Sequence, residues 1–290
     1  MDRYKTDKLK EYIEQTEILI VNKGLHIHLS KDLLKKYDTG TYSEGIKHIV
    51  SCINKIKKLQ IKYPANAKPI FYIYIVPNEN FGELLNYPSH IKTKGGGRPV
   101  TSYDLDGFNE AYGISSNLLE NRTKPNIMQE VNTIHELAHL VHSMFFNKDR
   151  LISEGFAEAL PLYTMDYESI WKEHQQMLKD LPEDKILSAQ QLIEITSNNN
   201  FNIGAVMPNK SCSFDYSYIS SYLFVRGCLE VIASKFNINK VEATQMFLEI
   251  VKQSNSYNQW LIYDIANAIG IPQEKLLKSK EIQINTIRNL

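Results

Sequence analysis

The stretch that decides the fold is Ile134-His135-Glu136-Leu137-Ala138-His139-Leu140-Val141-His142-Ser143-Met144-Phe145-Phe146. Its apolar residues cover much of a helical circumference, so we predict a buried helix. His135 and His139 are four residues apart and project from one face of that helix, where both can offer a ring nitrogen to one ion. Because buried histidine and glutamate side chains need partners, a bound metal ion is favoured over a chance coincidence of polar residues.

The residues around this pair suggest how a metal site would be completed. Glu136 follows the first histidine directly, which places its carboxylate beside the ion, where it can act as general base toward a water that zinc activates. A catalytic zinc takes three protein ligands, and a straight helix cannot supply the third. We therefore predict a second helix over residues 151–163, capped by Ser153. Glu154 and Glu158 lie on one face of it as alternative ligands.

Composition excludes several classes of protein. The 290 residues, 43% of them hydrophobic, are enough for one large domain or two small ones. The 33 basic and 33 acidic residues cancel and the lysines are scattered, so neither nucleic acid nor a membrane is predicted as a partner. Three widely spaced cysteines and the lack of an apolar leader favour a cytoplasmic protein with reduced thiols. Removal of a signal peptide would make a secreted protein the alternative.

Periodicity divides the chain into two lobes. Up to residue 125 the pattern mixes helices and strands, and after Pro125 it is helical almost to the end. We predict an α+β fold, with residues 1–125 as a mixed α/β lobe and residues 126–290 as a mainly helical lobe of one catalytic unit. The predicted elements are helices over 2–22, 42–63, 218–235 and 241–253 and strands over 25–29, 70–76 and 112–119.

Three further features favour ordinary structural roles. His26 and His28 share one face of a strand and are predicted to face solvent, because the nearby sequence offers no third ligand. Residues 94–99 are predicted to form a mobile loop, which lacks the spacing and lysine of a phosphate-binding loop. His142, one turn beyond His139, is predicted to be partly buried.

Two stretches of the sequence resemble the gluzincin metallopeptidases of peptidase clan MA, in particular the catalytic domains of M1-type aminopeptidases. They are the predicted helix that bears His135 and His139 and the segment Ser153-Glu154-Gly155-Phe156-Ala157-Glu158. The resemblance spans roughly residues 70–250 and implies a thermolysin-like fold with a substrate strand at the edge of a small sheet. In that family a second helix bears the motif Asn-Glu-Gly, whose glutamate is the third zinc ligand. This implies Glu154, with Glu158 orienting a ligand histidine. The length of the connection favours Glu158 instead, so swapped roles stay open.

Two weaker matches imply further site residues. Gly107-Phe108-Asn109-Glu110-Ala111-Tyr112-Gly113 resembles the family's Gly-x-Met-Glu-Asn strand, which implies that Glu110 binds the free amino terminus of the substrate. An ordinary strand glutamate is the alternative. The family also places a tyrosine at the start of a helix, where its hydroxyl helps to hold the oxyanion. Residues 218–226 are similar to that helix, which implies Tyr218, with Tyr216 as the alternative.

The resemblance as a whole implies a peptidase that holds one Zn²⁺ and hydrolyses a peptide or protein substrate. If Glu110 faces the cleft, aminopeptidase action is favoured; otherwise a narrow-specificity endopeptidase is equally open. A zinc-binding, non-catalytic member of the same fold is the alternative from another class, and a zinc hydrolase of non-peptide substrates is a third. No oligomeric state is predicted.

Overall fold

A computed structural model describes residues 7–22, 24–84, 97–101, 110–120, 126–145, 150–197, 216–254 and 256–290. These residues form a mixed α+β structure, as predicted. The chain divides into two compact units, Met1–Phe146 and Asn147–Leu290. Within the described ranges no helix is both long enough and apolar enough to cross a lipid bilayer.

The first unit combines a sheet with helices. Its strands are β1 (Glu17–Asn22), β2 (Leu25–Leu29), β3 (Phe71–Val76), β4 (Gly97–Thr101) and β5 (Glu110–Ser115). Its helices are α1 (Asp7–Glu14), α2 (Lys31–Asp38), α3 (Ser43–Lys58), α4 (Phe81–Leu84), α5 (Ser116–Glu120) and α6 (Ile127–Ser143), with a 3₁₀ turn at Asn78–Asn80. The helix predicted over 42–63 and the strands predicted over 25–29 and 70–76 are thereby confirmed, with small differences at their ends.

The five strands form one sheet in the order β1-β2-β3-β5-β4. β2, β3 and β5 are parallel, while β1 and β4 run antiparallel to their neighbours. All six residues of β3 are buried, as expected for a central parallel strand that is covered on both faces. Leu9 and Ile13 of α1 share a buried cluster with Tyr74 of β3. α6, which carries the two histidines, packs against β4, β5 and α3.

The helix predicted over residues 2–22 is wrong in its second half. Its described part ends at Glu14, and the chain then forms β1. The run Ile18-Leu19-Ile20-Val21 is rich in β-branched residues, which favour extended backbone. Pairing with β2 along the strand overrides the helical periodicity.

Of the segment 94–99 predicted to be a loop, residues 97–99 belong to a strand instead, and residues 94–96 lie outside the described residues. Gly97–Thr101 form β4, which pairs with β5 at the edge of the sheet. Pro99 is tolerated there because a proline, which lacks an N–H, fits an edge strand. The prediction that the strand bearing Glu110 lies at the edge is therefore wrong, since β4 covers that side of β5.

The end of β5 also differs from the prediction. The strand predicted over residues 112–119 begins earlier, at Glu110, and ends at Ser115. Ser116 starts α5, so the second half of the predicted strand is helical.

The histidines of β2 are not solvent-facing, contrary to the prediction. His26 and His28 are the register partners of Tyr72 and Tyr74 on β3. The ring centroids of His28 and Tyr74 are 5.0 Å apart, and His28 is buried. His26 is half-buried, with its ring 5.4 Å from that of Tyr72. Cross-strand packing, rather than solvent, occupies this face.

The described part of the second unit consists of helices and their connections. They are α7 (Arg150–Ala159), α8 (Tyr167–Ile170), α9 (Lys172–Lys179), α10 (Ala189–Ser197), α11 (Tyr216–Phe236), α12 (Lys240–Gln253), α13 (Gln259–Ile269), α14 (Gln273–Lys278) and α15 (Glu281–Arg288). A 3₁₀ turn at Glu183–Lys185 follows α9. The helices predicted over 218–235 and 241–253 are confirmed as α11 and α12.

The helix predicted over residues 151–163 is confirmed as α7 and the turn that follows it, but the predicted cap is wrong. α7 runs directly into a π-helical turn at Leu160–Thr164, where Pro161 has no N–H to continue an α-helical ladder. Ser153 is the fourth residue of α7 and is buried, so it cannot be the N-cap.

α7 and α11 cross in close contact at Gly155. A Cβ atom placed on Gly155 would lie 2.4 Å from the carbonyl oxygen of Ser221 and 2.5 Å from Cγ2 of Val225. The carbonyl belongs to the backbone of α11 and cannot turn away, so only glycine permits the crossing. Glu154 precedes this glycine, and Tyr218 lies one helical turn before Ser221. The crossing thus fixes two of the predicted site residues relative to each other.

We expect Gly155→Ala to destabilise the protein by about 1–3 kcal/mol or more, because the new methyl group overpacks a backbone contact. The loss is measurable as a fall in Tm of several degrees by circular dichroism. Gly82→Ala in α4 is the control, since a Cβ there meets no atom within 4 Å and alanine favours helix. Equal Tm values for the two variants would contradict the close crossing.

Candidate metal centre

The helix α6 is built to be rigid. The side chain of Asn126 accepts a hydrogen bond from the backbone N–H of Gln129 at 2.9 Å, and the Gln129 side chain accepts one from the Asn126 N–H at 3.1 Å. This capping box satisfies two donors at the amino end of the helix. Neither glycine nor proline interrupts the helix. The prediction of a buried helix is confirmed, because Ile134, Leu137 and the residues that follow are buried.

His135 and His139 approach each other as two ligands of one ion would. Their Nε2 atoms are 3.2 Å apart, and the rings are nearly perpendicular, at 83°. Two zinc–nitrogen bonds of about 2.0–2.1 Å in tetrahedral geometry separate their nitrogens by roughly 3.3 Å. The separation of the two nitrogens therefore fits two ligands of one zinc ion.

Glu154 completes a candidate ligand set. Its side chain is buried, and the ligand atoms of His135, His139 and Glu154 all lie within 4.8 Å of one another. Two imidazoles and one carboxylate form a donor set typical of catalytic zinc, which keeps one coordination position open. Glu158 lies one turn further along α7 and is half-buried, but it does not belong to this group.

Glu136 and His142 occupy the same helix as the histidine pair. Glu136 is half-buried, and the helical step of about 100° turns its side chain to the flank of the ligand face. It is therefore placed beside the pair rather than on it. His142 is buried, whereas only partial burial was predicted.

A buried contact that the sequence did not reveal holds α6 against α3. Nε2 of His48 lies 3.1 Å from Oγ1 of Thr133, two residues before His135. The Thr133 hydroxyl also donates to the carbonyl of Gln129 at 2.9 Å. Lys55 and Glu130 add an ion pair between the same two helices. These contacts limit rotation of α6 about its axis and so fix the direction of the histidines.

Tyr218 and Glu158 line one small cavity of the second unit. The other lining residues are Leu162, His174, Ile219 and Tyr222. Tyr218 lies in the first turn of α11 and is half-buried, while Tyr216, the alternative, is the first residue of that helix. The roles predicted for Tyr218 and Glu158 stay predictions.

Glu110 lies at the amino end of β5. It is the first residue of β5 and pairs with Thr101 of β4. Gly107, the first glycine of the predicted substrate motif, lies outside the described residues. The proposed contact with a substrate amino terminus stays a prediction.

A buried charged network lies next to the cavity. The side chains of Glu168 and Arg226, only 7% and 8% exposed, form an ion pair. The hydroxyl of Tyr222 donates to Oε1 of Glu168 at 2.7 Å, and Nη1 of Arg226 donates to the same hydroxyl at 3.0 Å. His174 approaches this carboxylate, with Nδ1 at 3.6 Å, and stacks on Trp171. We call Glu168, Arg226, Tyr222 and His174 the α8–α11 network.

The network keeps its charges in spite of burial. Burial alone raises the pKa of Glu168, but His174, the charge of Arg226 and the Tyr222 hydroxyl together hold it below the usual 4.5. Burial is the main cause that raises the pKa of Tyr222 well above 10, so its hydroxyl stays a donor at neutral pH. The carboxylate is therefore ionised and the tyrosine neutral around pH 7.

Sequence reasoning missed this network, although one signal was present. Arg226 is the only charged residue between Tyr218 and Leu229, a run otherwise typical of a buried helix. A charge in such a run requires a buried partner. The identity of that partner, Glu168, depends on tertiary packing and could not be read from spacing.

Comparisons with known proteins do not assign the chain to a family: no family model, no curated protein and no solved structure matches it.

We expect Arg226→Met to destabilise the protein by about 3–5 kcal/mol, because the buried carboxylate of Glu168 loses its charge partner. Lys278→Met, which breaks the exposed pair with Glu274, is the control and should leave stability almost unchanged, because solvent screens that pair. Thermal unfolding of both variants measures the difference.

The loss of stability caused by Arg226→Met should also depend on pH. In the wild type the pKa of Glu168 is lowered, so its stabilising contribution is present above 4.5 and is lost as pH falls through the folded value. Without Arg226, burial dominates and the pKa of Glu168 rises, so the ionised form becomes a cost at neutral pH. The gap in Tm between wild type and Arg226→Met should narrow from pH 7 to pH 5, and a widening gap would contradict this account.

Proposed function

We propose that this protein is a zinc-dependent peptidase of the gluzincin type, with a thermolysin-like arrangement of an α/β lobe and a helical lobe. His135, His139 and Glu154 would hold one Zn²⁺, and Glu136 would be the general base. The observation that carries the proposal is the 3.2 Å separation of the two Nε2 atoms on a buried helix, with a glutamate directly after the first histidine.

The donor set favours a catalytic role over a structural one. Structural zinc sites are closed by four protein ligands, most of them cysteines. Among the described residues the candidate group has three members, none of them cysteine, which leaves one position for water or substrate. A structural site also gives no role to Glu136, whereas a hydrolytic site requires a base at that position.

Different side chains of the protein would carry out different parts of the reaction. When bound, zinc would supply Lewis acidity, which makes a water more acidic and polarises the carbonyl of the substrate. Glu136 would accept the proton of the attacking water and return it to the leaving amine as the C–N bond breaks. Tyr218 would donate a hydrogen bond to the oxygen that becomes negative. Glu158 would orient a ligand histidine.

Whether the peptidase acts on chain ends or within chains depends on Glu110. A carboxylate facing the substrate amine would give an aminopeptidase. The inner position of β5, with β4 at the edge, departs from the substrate-strand pattern that suggested this role. A narrow-specificity endopeptidase is therefore the second candidate, and peptides or proteins are the proposed substrates in both.

We also propose that the protein works in the cytoplasm. Cys52 and Cys228 are free thiols and are buried, which suits a reducing compartment. Cys212 lies outside the described residues.

The deciding experiment is mass-spectrometric profiling of a diverse peptide mixture incubated with the zinc-loaded protein. We expect cleavage by the wild type and none by Glu136→Gln, which removes the base but not a ligand. Zinc content, measured by mass spectrometry of the metal, should be equal in the two proteins.

The pattern of products distinguishes the candidates. Loss of single amino-terminal residues, reduced by Glu110→Gln, would support an aminopeptidase, and internal cuts would indicate an endopeptidase. A Glu136→Gln variant that retains activity would overturn the assignment of the base. Bound zinc with no cleavage of any peptide would favour the non-catalytic alternative or a non-peptide substrate.

The choice between the two glutamates is tested by zinc affinity. Glu154→Gln should weaken zinc binding by about 100-fold or more, because it removes a charged ligand, while Glu158→Gln should weaken it by about 10-fold, as expected for loss of an orienting contact. Competition with a chromogenic chelator measures both. The reverse order would exchange the two roles.

A further inference from the structure

Tyr218 lies near the described beginning of α11 and is half-buried. Its proposed role requires the hydroxyl to be held within a fraction of an ångström of one position. The contacts that hold α11 around this residue therefore bear directly on that role.

Tyr222 stands four residues further along the same helix. Residues at this spacing share a helix face, and both tyrosines line the same cavity. Unlike Tyr218, Tyr222 is fully enclosed, and its hydroxyl is held from two sides by Glu168 and Arg226. The ring of Tyr222 is therefore held in place one helical turn after Tyr218.

The anchor extends beyond α11 itself. Glu168 belongs to α8, so the Tyr222 hydroxyl ties α11 to a separate helix. Arg226 also donates from Nε to Glu230 at 3.0 Å, and its guanidinium lies 5.5 Å from the centre of the Tyr163 ring. The ion pair is therefore confined by groups on three sides. Rotation of α11 about its axis would break the contacts with Glu168 and Tyr163, which belong to other elements of the second unit.

A buried ion pair is a poor choice for stability alone. Replacing such a pair with apolar residues of similar volume is often neutral or stabilising, because desolvation offsets the attraction. Its directional hydrogen bonds, in contrast, define one orientation of the groups that it joins. The expected benefit of the α8–α11 network is therefore positional.

We propose that Tyr222, held by Glu168 and Arg226, is a positioning residue that fixes the first turn of α11 and thereby the direction of the Tyr218 hydroxyl. The inference deepens the proposed function, since the role of Tyr218 rests on it. Tyr222 does not touch the reacting atoms; it acts through Tyr218.

A double-mutant cycle tests the proposal. Tyr222→Phe removes only the hydroxyl and keeps the buried ring. We expect kcat to fall about 10-fold or more with KM little changed, because a misplaced donor is lost to the transition state. In a Tyr218→Phe background the same change should have almost no further effect on kcat. If the fold-losses in kcat of the two single variants multiply in the double variant, Tyr222 acts on stability or on another group, and the proposal is overturned.

A matched control separates positioning from general stability. Tyr263→Phe also removes a tyrosine–glutamate hydrogen bond, the one to Glu274 at 2.6 Å, in the same unit. It should leave kcat and KM unchanged. Zinc affinity should be the same in Tyr222→Phe and wild type, which shows that the ligands themselves have not moved.

Hydrogen–deuterium exchange gives a readout that does not depend on activity. Tyr222→Phe should speed exchange in peptides covering residues 216–223, while peptides from α12 and α13 exchange as in wild type. Unchanged exchange at 216–223, or an equal increase throughout the second unit, would overturn the proposal. If neither wild type nor variant cleaves any peptide, the proposed function fails, while the exchange data still decide whether Tyr222 fixes the turn.

Discussion

The close crossing of α7 and α11 at Gly155 is the constraint on which the helical part of the site depends. Because Gly155 has no side chain, the two backbones approach very closely. A Cβ atom added to Gly155 would lie 2.4 Å from the carbonyl oxygen of Ser221. The neighbours of the crossing are Glu154 on one helix and Tyr218 on the other. The glycine after Glu154 therefore has a structural role, because it sets how closely α7, which carries the Glu154 carboxylate, approaches α11.

The helix α6, which carries the histidine pair, is fixed by a different principle. Its capping box, its unbroken run of helix-compatible residues and the contact of Thr133 with His48 all restrict the same element. Ligands held in advance bind a metal without the entropy cost of ordering them. The 3.2 Å separation of the histidine nitrogens, close to the value that tetrahedral zinc requires, is the result.

Sequence reasoning succeeded where geometry is local and failed where it is not. The histidine pair could be predicted because a spacing of four residues fixes direction on any helix. The order of β4 and β5, the strand at Glu17–Asn22 and the burial of His28 could not, since each depends on which strand pairs with which. Pro99 and the adjacent glycines concealed an edge strand because their local preference is for loops. Arg226 gave a signal, but its partner Glu168 is 58 residues away.

The α8–α11 network shows how a buried charge can serve position more than stability. A purely apolar contact would hold α8 and α11 together but would allow small rotations, because dispersion forces have little directionality. The hydroxyl of Tyr222 accepts from a cation and donates to an anion, so its oxygen is restrained along two separate directions. Restraint of this kind is transmitted along a helix, since a helix turns as a unit. A residue one turn away, such as Tyr218, is therefore oriented by contacts that it does not itself make.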